Sequence, residues 1–518
     1  MKRKRKNTLT HGIYKAFHCC PALDVRGVFL DISKAFDKVW HEGLLFKLEQ
    51  HGLSGNFLSL VRNFLVDRQQ RVVLNGQSSS WKTVTAGVPQ GSVLGPLFFL
   101  LYINDLPIGL SSDVKIFADD TSIFSVVKDS AESYRNLSND LEVINLWAHQ
   151  WKMSFNPDPS KQAVEVIFSR KRAAQHHQPI YFNNSPVAPS LVHKHLGLFL
   201  DNQLNFQHHL KEKISKANKG IGVIRKLSYY LPRGTLLTIY KMFVRPHLDY
   251  CDVIYDRPNN DFLKRKLESV QYNAALAITG GIRGTSMEKL FDELGLEFLA
   301  DRRWMRRLTL FYKIKNELAP SYLCDLIPTA PTRYQTRNKD SIRVFTPRTD
   351  LFSFSFFPYT SRIWHTLDPN IRELPSLTVF KKALLKFMRP YPSQVYGIHN
   401  FVGIKFLTRL RLGLSHLREH KFRHDFRDTL NPLCSCNIEP ETTSHYLLRC
   451  LFFSSHRKVL FDSLHDIDHN MTTNISDIRL TKILLYGSSS YDLVNNANLL
   501  KAVIHYILSS ERFNVDLI

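Results

Sequence analysis

The sequence is poor in acidic residues relative to basic ones, and this imbalance restricts its partners. It has 46 Asp and Glu residues against 69 Lys and Arg residues, which gives a formal net charge of +23. An excess of this size favours a polyanionic partner, because each Lys or Arg placed on a phosphate releases a counterion. Nucleic acid is the favoured partner. A generally basic protein, or one attracted to an anionic membrane surface, is the alternative.

Long apolar runs and cysteines are also scarce. No run of about 18 apolar residues occurs, which argues against a transmembrane helix. The stretch 95–103 (GPLFFLLYI) is too short to cross a bilayer and is expected to be buried core. The basic start MKRKRKN is not followed by an apolar signal core. Seven cysteines in 518 residues indicate a reducing compartment. The hydrophobic content of 44% is enough for a real core.

The hydrophobic pattern predicts an α+β region followed by a mainly helical one. Strands are predicted at 25–32, 70–74, 81–84, 114–118, 121–127, 164–169 and 195–200. Helices are predicted at 33–50, 57–65, from about Pro96, at 131–151 and at 210–227. The expected divisions are a basic segment 1–24, an α+β domain 25–204, a helical region 205–313, a connector 314–395 and a basic helical C-terminal region 396–518.

Two acidic sites lie at predicted strand ends. Asp31 closes the apolar strand, and Asp119 and Asp120 are expected at the tip of the hairpin IFADDTSIF. Neighbouring strands lie about 4.8 Å apart, so these carboxylates can converge. Converging carboxylates repel one another unless a divalent cation neutralises them, and a pair of Mg²⁺ ions would suit phosphoryl transfer. Taken alone, Asp-Asp is more often an ordinary hairpin turn.

Five segments in order resemble the palm motifs of reverse transcriptases of jockey-like non-LTR retrotransposons. They are VFLDISKAFDKVWHEGLL, GVPQGSVLGPLFFLLYINDL, FADDTSIF, NLWAHQWKMSFNPDPSKQ and HKHLGLFLD. The later segments VRPHLDYCDVIYD and ITGGIRGTS are also similar to those elements. The resemblance implies an RNA-directed DNA polymerase that adds dNTPs to a 3′-hydroxyl with two Mg²⁺ ions, an RNA template and a DNA primer or target. It further implies an intracellular protein of the nucleus and cytoplasm.

The resemblance assigns a role to individual residues. Asp31 and Asp119 match metal-binding aspartates, and Asp120 is their neighbour. The remaining matches concern the incoming nucleotide. The backbone at Ile32 is expected to bind the triphosphate, and Lys161 is expected to bind pyrophosphate. Phe36 is expected to exclude a ribose 2′-hydroxyl, and Gln90 and Gly91 are expected to lie beside the template base. Each has an ordinary alternative, namely core packing for Phe36, a turn for Gln90 and Gly91, and a solvated side chain for Lys161. Asp37 is expected to make a structural contact.

The expected fold is an incomplete right-hand palm, a helical thumb and connector, and a small zinc-knuckle-like module. Family members carry a fingers region before the first aspartate motif, whereas only 30 residues precede Asp31 here. An upstream endonuclease is likewise not seen. The fingers are therefore expected to be missing. A catalytically inactive nucleic-acid-binding remnant and a domesticated interaction protein stay open as alternatives.

A cysteine cluster near the C-terminus predicts a metal site. Cys434, Cys436, His445 and Cys450 offer three thiolates and one imidazole, the donor set that Zn²⁺ favours. Buried free cysteines are the alternative. A basic helical stretch at about 404–428 precedes the cluster and is expected to pack beside it. The residues predicted to contact phosphates are Lys213, Lys216, Arg409, Arg411, Arg418 and Lys421.

Overall fold

The computed structural model describes residues 2–171, 177–257, 259–327, 345–386, 398, 400–473, 475–488 and 490–513. The chain divides into two compact units. The first unit comprises Met1–His209 and Ile314–Ile363, and the second comprises Leu210–Lys313 and Trp364–Ile518. The stretch expected to be a connector, 314–395, is therefore divided between them. Among the described residues, no helix combines the length and apolarity that crossing a bilayer requires.

A five-stranded sheet forms the centre of the first unit. Its strands are β1 (Asp24–Leu30), β2 (Asp113–Phe117), β3 (Asp120–Val127), β4 (Ala163–Phe168) and β5 (Ala188–Pro189). The order across the sheet is β5-β4-β1-β3-β2, and all pairs are antiparallel except β4 with β5. Every residue of β1 is buried, because the strand has a neighbour on both sides and is covered on both faces. This explains why its apolar residues do not alternate with exposed polar ones.

Short hairpins accompany the sheet. Gln69–Gln70 pairs with Lys82–Thr83, Val73–Leu74 with Gln77–Ser78, Tyr181–Phe182 with Ser185–Pro186, and Val192–His195 with Leu198–Asp201. Asn75 and Gly76 both have positive φ, at 50° and 80°. A two-residue hairpin loop requires such angles, and Asn75 and Gly76 form the loop between Val73–Leu74 and Gln77–Ser78.

Helices accompany the sheet in the first unit, and among them Lys2–His18 contacts β1 and Ser130–Gln150 contacts β3. They are Lys2–His18, His41–Gln50, Gly55–Leu65, Leu94–Ile103, Ser130–Gln150, Pro159–Gln162, Ser321–Cys324, Asp350–Ser353 and the first part of Phe356–Thr366. In the helix Ser130–Gln150, Leu137, Leu141 and Ile144 are buried at helical spacing. Each such side chain contributes about 1.5–3 kcal/mol when fully buried.

Two expectations about this unit need correction. The stretch 95–103 is core on one face only, because Leu97 and Leu100 remain 49% and 48% exposed while Phe99 is buried. The basic segment 1–24 contains the helix Lys2–His18, which buries Ile13 and Phe17. His11 of this helix packs against aromatic rings of the 350–357 region, which explains why part of the expected connector belongs to the first unit.

Helices make up the second unit, and its described residues contain no strand. They are the remainder of Gln207–Leu227, then Arg233–Ile239, Arg245–Asp249, Asp252–Tyr255, Asp261–Thr279, Met287–Leu294, Leu299–Lys315, Pro369–Arg372, Leu377–Leu385, Phe401–Leu412, Arg418–Arg423, Ser454–His465, Asp477–Tyr486 and Leu493–Ser509. Two π-helical turns lie at Tyr240–Val244 and His445–Arg449. The basic stretch 404–428 is two helices rather than one, because Gly413 ends the first with φ of 70°.

Candidate active site and metal centre

The sheet brings the predicted carboxylates to one edge. β1 ends at Leu30 and β3 begins at Asp120, and the two strands are antiparallel with Leu30 opposite Thr121. Continuing that register by one residue sets Asp31 beside Asp120. Asp119 immediately precedes β3, so all three aspartates lie at the same end of these strands, which are neighbours about 4.8 Å apart.

The turn that carries Asp119 is shifted by one residue from the expected position. Phe117 pairs with Asp120 across the hairpin, so the two loop residues are Ala118 and Asp119, and Asp120 belongs to β3. Ala118 has φ of 52°. A non-glycine residue in this left-handed region costs about 1–2 kcal/mol. The tight loop holds Asp119 at the end of the sheet.

Asp31 is held by Asn156, a residue of the fourth motif to which no role was assigned from the sequence. Its Oδ2 accepts a hydrogen bond of 2.7 Å from Asn156 Nδ2, and its backbone carbonyl accepts one of 2.9 Å from Asn156 N. Ile32 forms a β-bridge with Phe155. Asn156 thus orients the Asp31 carboxylate. The signal available in the sequence was its place in the motif NLWAHQWKMSFNPDPSKQ.

The loop 87–91 is fastened to the turn that follows Asp31. Val88 N donates to Phe36 O at 2.8 Å, and Gln90 Nε2 donates to Asp37 Oδ1 at 2.7 Å. The structural contact expected of Asp37 is therefore present. Gly91 has φ of 86° and is exposed, a backbone conformation that favours glycine. The loop thus lies against the segment that carries Phe36.

Phe36 and Lys161 each have a local partner. The ring of Phe36 is half-buried and stacks on Phe99 with centroids 4.6 Å apart. Lys161 Nζ lies 2.9 Å from Asp158 Oδ2, and this hydrogen bond raises the pKa of Lys161. Both side chains therefore make contacts within the protein. Their roles toward an incoming nucleotide stay predictions.

The C-terminal cysteines and histidine form a compact cluster. The ligand atoms of Cys434, Cys436, His445 and Cys450 all lie within 4.8 Å of one another. The sulfurs of Cys434 and Cys450 are 3.6 Å apart, and Cys436 Sγ is 3.3 Å from His445 Nε2. A tetrahedral Zn²⁺ site has edges of roughly 3.6–3.8 Å for its bond lengths. The cluster is close to that size.

Glu439 contacts the histidine of the cluster on the side away from the sulfurs. Its Oε1 lies 2.7 Å from His445 Nδ1, which leaves Nε2 directed at the sulfurs. Hydrogen bonds from Arg449 and His445 lower the pKa of Glu439 to about 2. A carboxylate behind the ligating histidine is the usual partner in zinc sites. Cysteine and histidine spacing alone did not reveal it.

The two candidate sites differ in how tightly their ligands are gathered. In the Cys/His cluster, the ligand atoms already lie close enough together to hold a metal ion. Among the described residues, no other group of three or more such side chains does so. The three aspartates share an edge without being drawn together to that degree.

The predicted phosphate contacts include one error. Arg411 has no exposed side-chain surface, and its Nη1 lies 2.9 Å from Glu293 Oε1. Its Nε donates to the Leu485 carbonyl at 2.6 Å. The prediction that Arg411 contacts a phosphate is therefore wrong, because its charge is used inside the second unit.

The other five basic residues lie at least partly at the surface. Lys213 lies over the Tyr250 ring, and Lys421 forms an ion pair of 2.7 Å with Asp428. Arg409 donates to the Gly280 carbonyl and Arg418 to the Leu433 carbonyl. The last contact packs the helix Arg418–Arg423 beside the cysteine cluster, as expected.

Comparison with known proteins agrees with these motifs. Residues 8–186 match the family model described as reverse transcriptase (RNA-dependent DNA polymerase). A probable RNA-directed DNA polymerase from the X-element transposon of Drosophila melanogaster is 31% identical over 288 residues, covering 52% of this chain and 30% of that protein. The polymerase from the mobile element jockey of the same species is 31% identical over 319 residues, covering 59% of this chain and 33% of the relative.

A jockey polymerase from Drosophila funebris is 32% identical over 242 residues, which cover 44% of this chain and 25% of the relative. The chain thus spans between a quarter and a third of the length of these curated relatives. Residues 8–186 are thus similar to reverse transcriptases, and the chain is similar over 44–59% of its length to the RNA-directed DNA polymerases of the X-element and jockey mobile elements.

Proposed function

We propose that the chain carries the catalytic palm of an RNA-directed DNA polymerase, which adds deoxynucleotides to a primer 3′-hydroxyl on an RNA template. The observation that carries the proposal is the register of β1 and β3, which supports a common site for Asp31, Asp119 and Asp120. The family of residues 8–186 supports the same activity. In this proposal the palm is 25–204 and the thumb-like region is 205–313.

The three carboxylates would hold Mg²⁺, a hard cation that prefers oxygen ligands. Bound there, Mg²⁺ supplies charge for activating a hydroxyl and for neutralising pyrophosphate. The protein's own contribution is position. The tight turn at Ala118 holds Asp119, and the hydrogen bond from Asn156 orients Asp31.

The incoming nucleotide would lie between the Asp31 strand end and the 87–91 loop. Ile32 would offer backbone to the triphosphate, and Lys161 a charge to pyrophosphate. Phe36 would exclude a ribose 2′-hydroxyl by bulk, while Gln90 and Gly91 would lie beside the template base. The hydrogen bonds between the loop and the Phe36–Asp37 turn support this grouping.

Template and primer would be held by the basic surface of the second unit, through Lys213, Lys216, Arg409, Arg418 and Lys421. The Cys434, Cys436, His445 and Cys450 cluster would hold one Zn²⁺. Three sulfurs, one ring nitrogen and a carboxylate behind that ring fit this ion in donor type and spacing. The metal would stabilise 431–451 by joining the loop that carries Cys434 and Cys436 to the π-helical turn that carries His445.

Primer extension on an RNA template tests the proposal. Asp119→Asn should lower the rate by at least about 100-fold, since metal placement supplies much of the transition-state stabilisation. Asp113→Asn is the matched control, because Asp113 lies at the far end of the same hairpin and pairs with Lys115. Binding of Mn²⁺, followed by electron paramagnetic resonance, gives a second readout that needs no turnover.

Asp119→Asn should weaken Mn²⁺ binding and Asp113→Asn should not. Equal extension by both variants would refute the assignment of Asp119. A protein that binds nucleic acid but neither extends primers nor binds Mn²⁺ would instead be a nucleic-acid-binding remnant or an interaction protein. The family and the relatives support the polymerase over those alternatives.

A further inference from the structure

Three distant segments meet at the turn Gly280–Gly284 of the second unit. Arg409 Nε donates a hydrogen bond of 2.8 Å to the Gly280 carbonyl. The Lys405 side chain passes so close to Gly280 that a Cβ there would lie 2.6 Å from Lys405 Cγ. Lys405 Nζ in turn lies 4.5 Å from the ring centroid of Tyr229. We call this place the glycine-turn surface, formed by Tyr229, Arg283, Lys289, Lys405 and Arg409.

Positive charge accumulates on the glycine-turn surface. Arg283 and Lys289 are exposed, and Lys405 is partly exposed. None of these three cations forms an ion pair with any residue that the structure describes. Burial and the charge of Arg409 lower the pKa of Lys405. An approaching anion would relieve this crowding of like charges.

The surface continues towards the cysteine cluster. Lys289 Nζ lies 3.6 Å from the position that a Cβ on Gly413 would take. Burial, together with Arg423, His424 and Lys289, lowers the pKa of His420 to about 4, and His420 Nε2 lies 3.3 Å from Thr443 Oγ1. A phosphate backbone could therefore follow cations from the glycine turn to the candidate zinc centre.

Tyr229 gives the surface a feature that phosphate binding alone does not require. Its side chain is 74% exposed although it is large and aromatic. Lys405 lies over the ring, so the aromatic group is already placed beside a cation. Exposed aromatic rings beside a positively charged groove are typical of proteins on which unpaired bases stack. A duplex keeps its bases stacked internally and offers none to such a ring.

We propose that the glycine-turn surface binds single-stranded nucleic acid, with phosphates on Arg283, Lys289 and Lys405 and a base stacked on Tyr229. The inference rests on the proposed function, because it takes nucleic acid to be the partner of the chain. It adds that the partner is single-stranded. It also adds four residues to which the motifs assigned no role: Tyr229, Arg283, Lys289 and Lys405.

Fluorescence anisotropy with the full chain tests it, using a 20-nucleotide oligo(U) and a 20-base-pair DNA duplex as probes. Tyr229→Ala should weaken oligo(U) binding about tenfold, the typical effect of losing one stacked base, and leave duplex binding within about twofold. Tyr229→Phe keeps the ring and should bind like the wild type. Circular dichroism confirms that the exposed substitutions leave the fold intact.

The salt dependence tests the cations separately. The double variant Arg283→Gln with Lys289→Gln should reduce the slope of log affinity against log salt by about 1.4 for the single strand, since each lost phosphate contact removes about 0.7. Lys381→Gln with Lys382→Gln removes the same charge from the exposed face of Leu377–Leu385 and should leave the slope unchanged.

Wild-type affinity and slope in both Tyr229→Ala and the Arg283/Lys289 variant would overturn the glycine-turn surface, while primer extension would still report on the proposed function. Equal losses on single strand and duplex in Tyr229→Ala would overturn the single-strand assignment. Absence of binding by the wild type to either probe would overturn the inference and the nucleic-acid partner together.

Discussion

Removing the Glu439 carboxylate tests whether the Cys/His cluster is a metal centre, because it leaves all four ligands in place. Glu439 Oε1 accepts from His445 Nδ1 at 2.7 Å, and the His445 side chain is 1% exposed. Without Glu439, a buried N–H loses its partner, which costs about 1–3 kcal/mol. This corresponds to roughly 5- to 150-fold in zinc affinity, in agreement with the 10- to 100-fold usual for such partners.

We therefore expect Glu439→Ala to weaken zinc binding by about 10- to 100-fold. Glu439→Gln retains an acceptor oxygen and should lose less. Cys436→Ser removes a ligand and should lose more than either. The affinity is measured on the full chain under reducing conditions, by competition with a chromophoric zinc chelator at constant pH, because metal binding releases protons.

Asp477→Asn is the matched control. Asp477 pairs with Arg449, the same arginine that Glu439 binds, but it does not contact His445. Its substitution should leave zinc affinity unchanged. Zinc affinity equal to that of the wild type in Glu439→Ala would refute the orienting role. A wild-type protein that takes up no zinc would return the cluster to ordinary buried cysteines.

Two further predictions concern the nucleotide site and the second unit. Phe36→Val should lower discrimination between dNTPs and rNTPs in primer extension by roughly tenfold or more, because the bulk that repels a 2′-hydroxyl is lost; unchanged selectivity would leave Phe36 as a core residue. Asp249→Ala should reduce the free energy of unfolding by about 3–5 kcal/mol, since it contacts Arg302 at 2.9 Å and Arg306 at 3.0 Å and all three are largely buried. The exposed pair of Asp261 is the control, and Asp261→Ala should cost less than about 1 kcal/mol in chemical denaturation.

Local patterns were sufficient to predict the sheet and the edge that bears the carboxylates. An apolar, β-branched run ending in Asp31 has few ways to fold other than as a central strand, and it became β1. The two strands on either side of Asp119 are close to each other in sequence, so their pairing as a hairpin follows from neighbouring residues. The α+β character and the helical second half were predictable for the same reason.

Partners from distant parts of the chain were not predictable. Arg411 lies in a basic stretch of the kind that is often exposed, and its neighbouring residues do not distinguish it from Arg409. Its burial depends on Glu293, 118 residues away. Asn156 likewise reaches Asp31 across 125 residues. The sequence shows which residues are charged or polar. Which residue each of them contacts depends on tertiary packing.

The carboxylate site depends on strand register, and part of that register is held by a residue without a side chain. Gly27 of β1 pairs with Phe124 of β3 and with Val166 of β4. A Cβ on Gly27 would lie 2.7 Å from the Phe124 ring and 3.0 Å from the Phe168 ring. Both rings therefore close over the space that glycine leaves.

A slip of β1 by one residue would bring a side chain under these rings and turn every side chain of the strand to the opposite face. It would also separate Arg26 from Glu165, which form a buried ion pair of 2.6 Å. Breaking such a pair costs about 3–5 kcal/mol. Asp31 would then face away from the Asp119–Asp120 hairpin. The geometry of the proposed metal site is thus stabilised by contacts along β1, which precedes Asp31 in the chain.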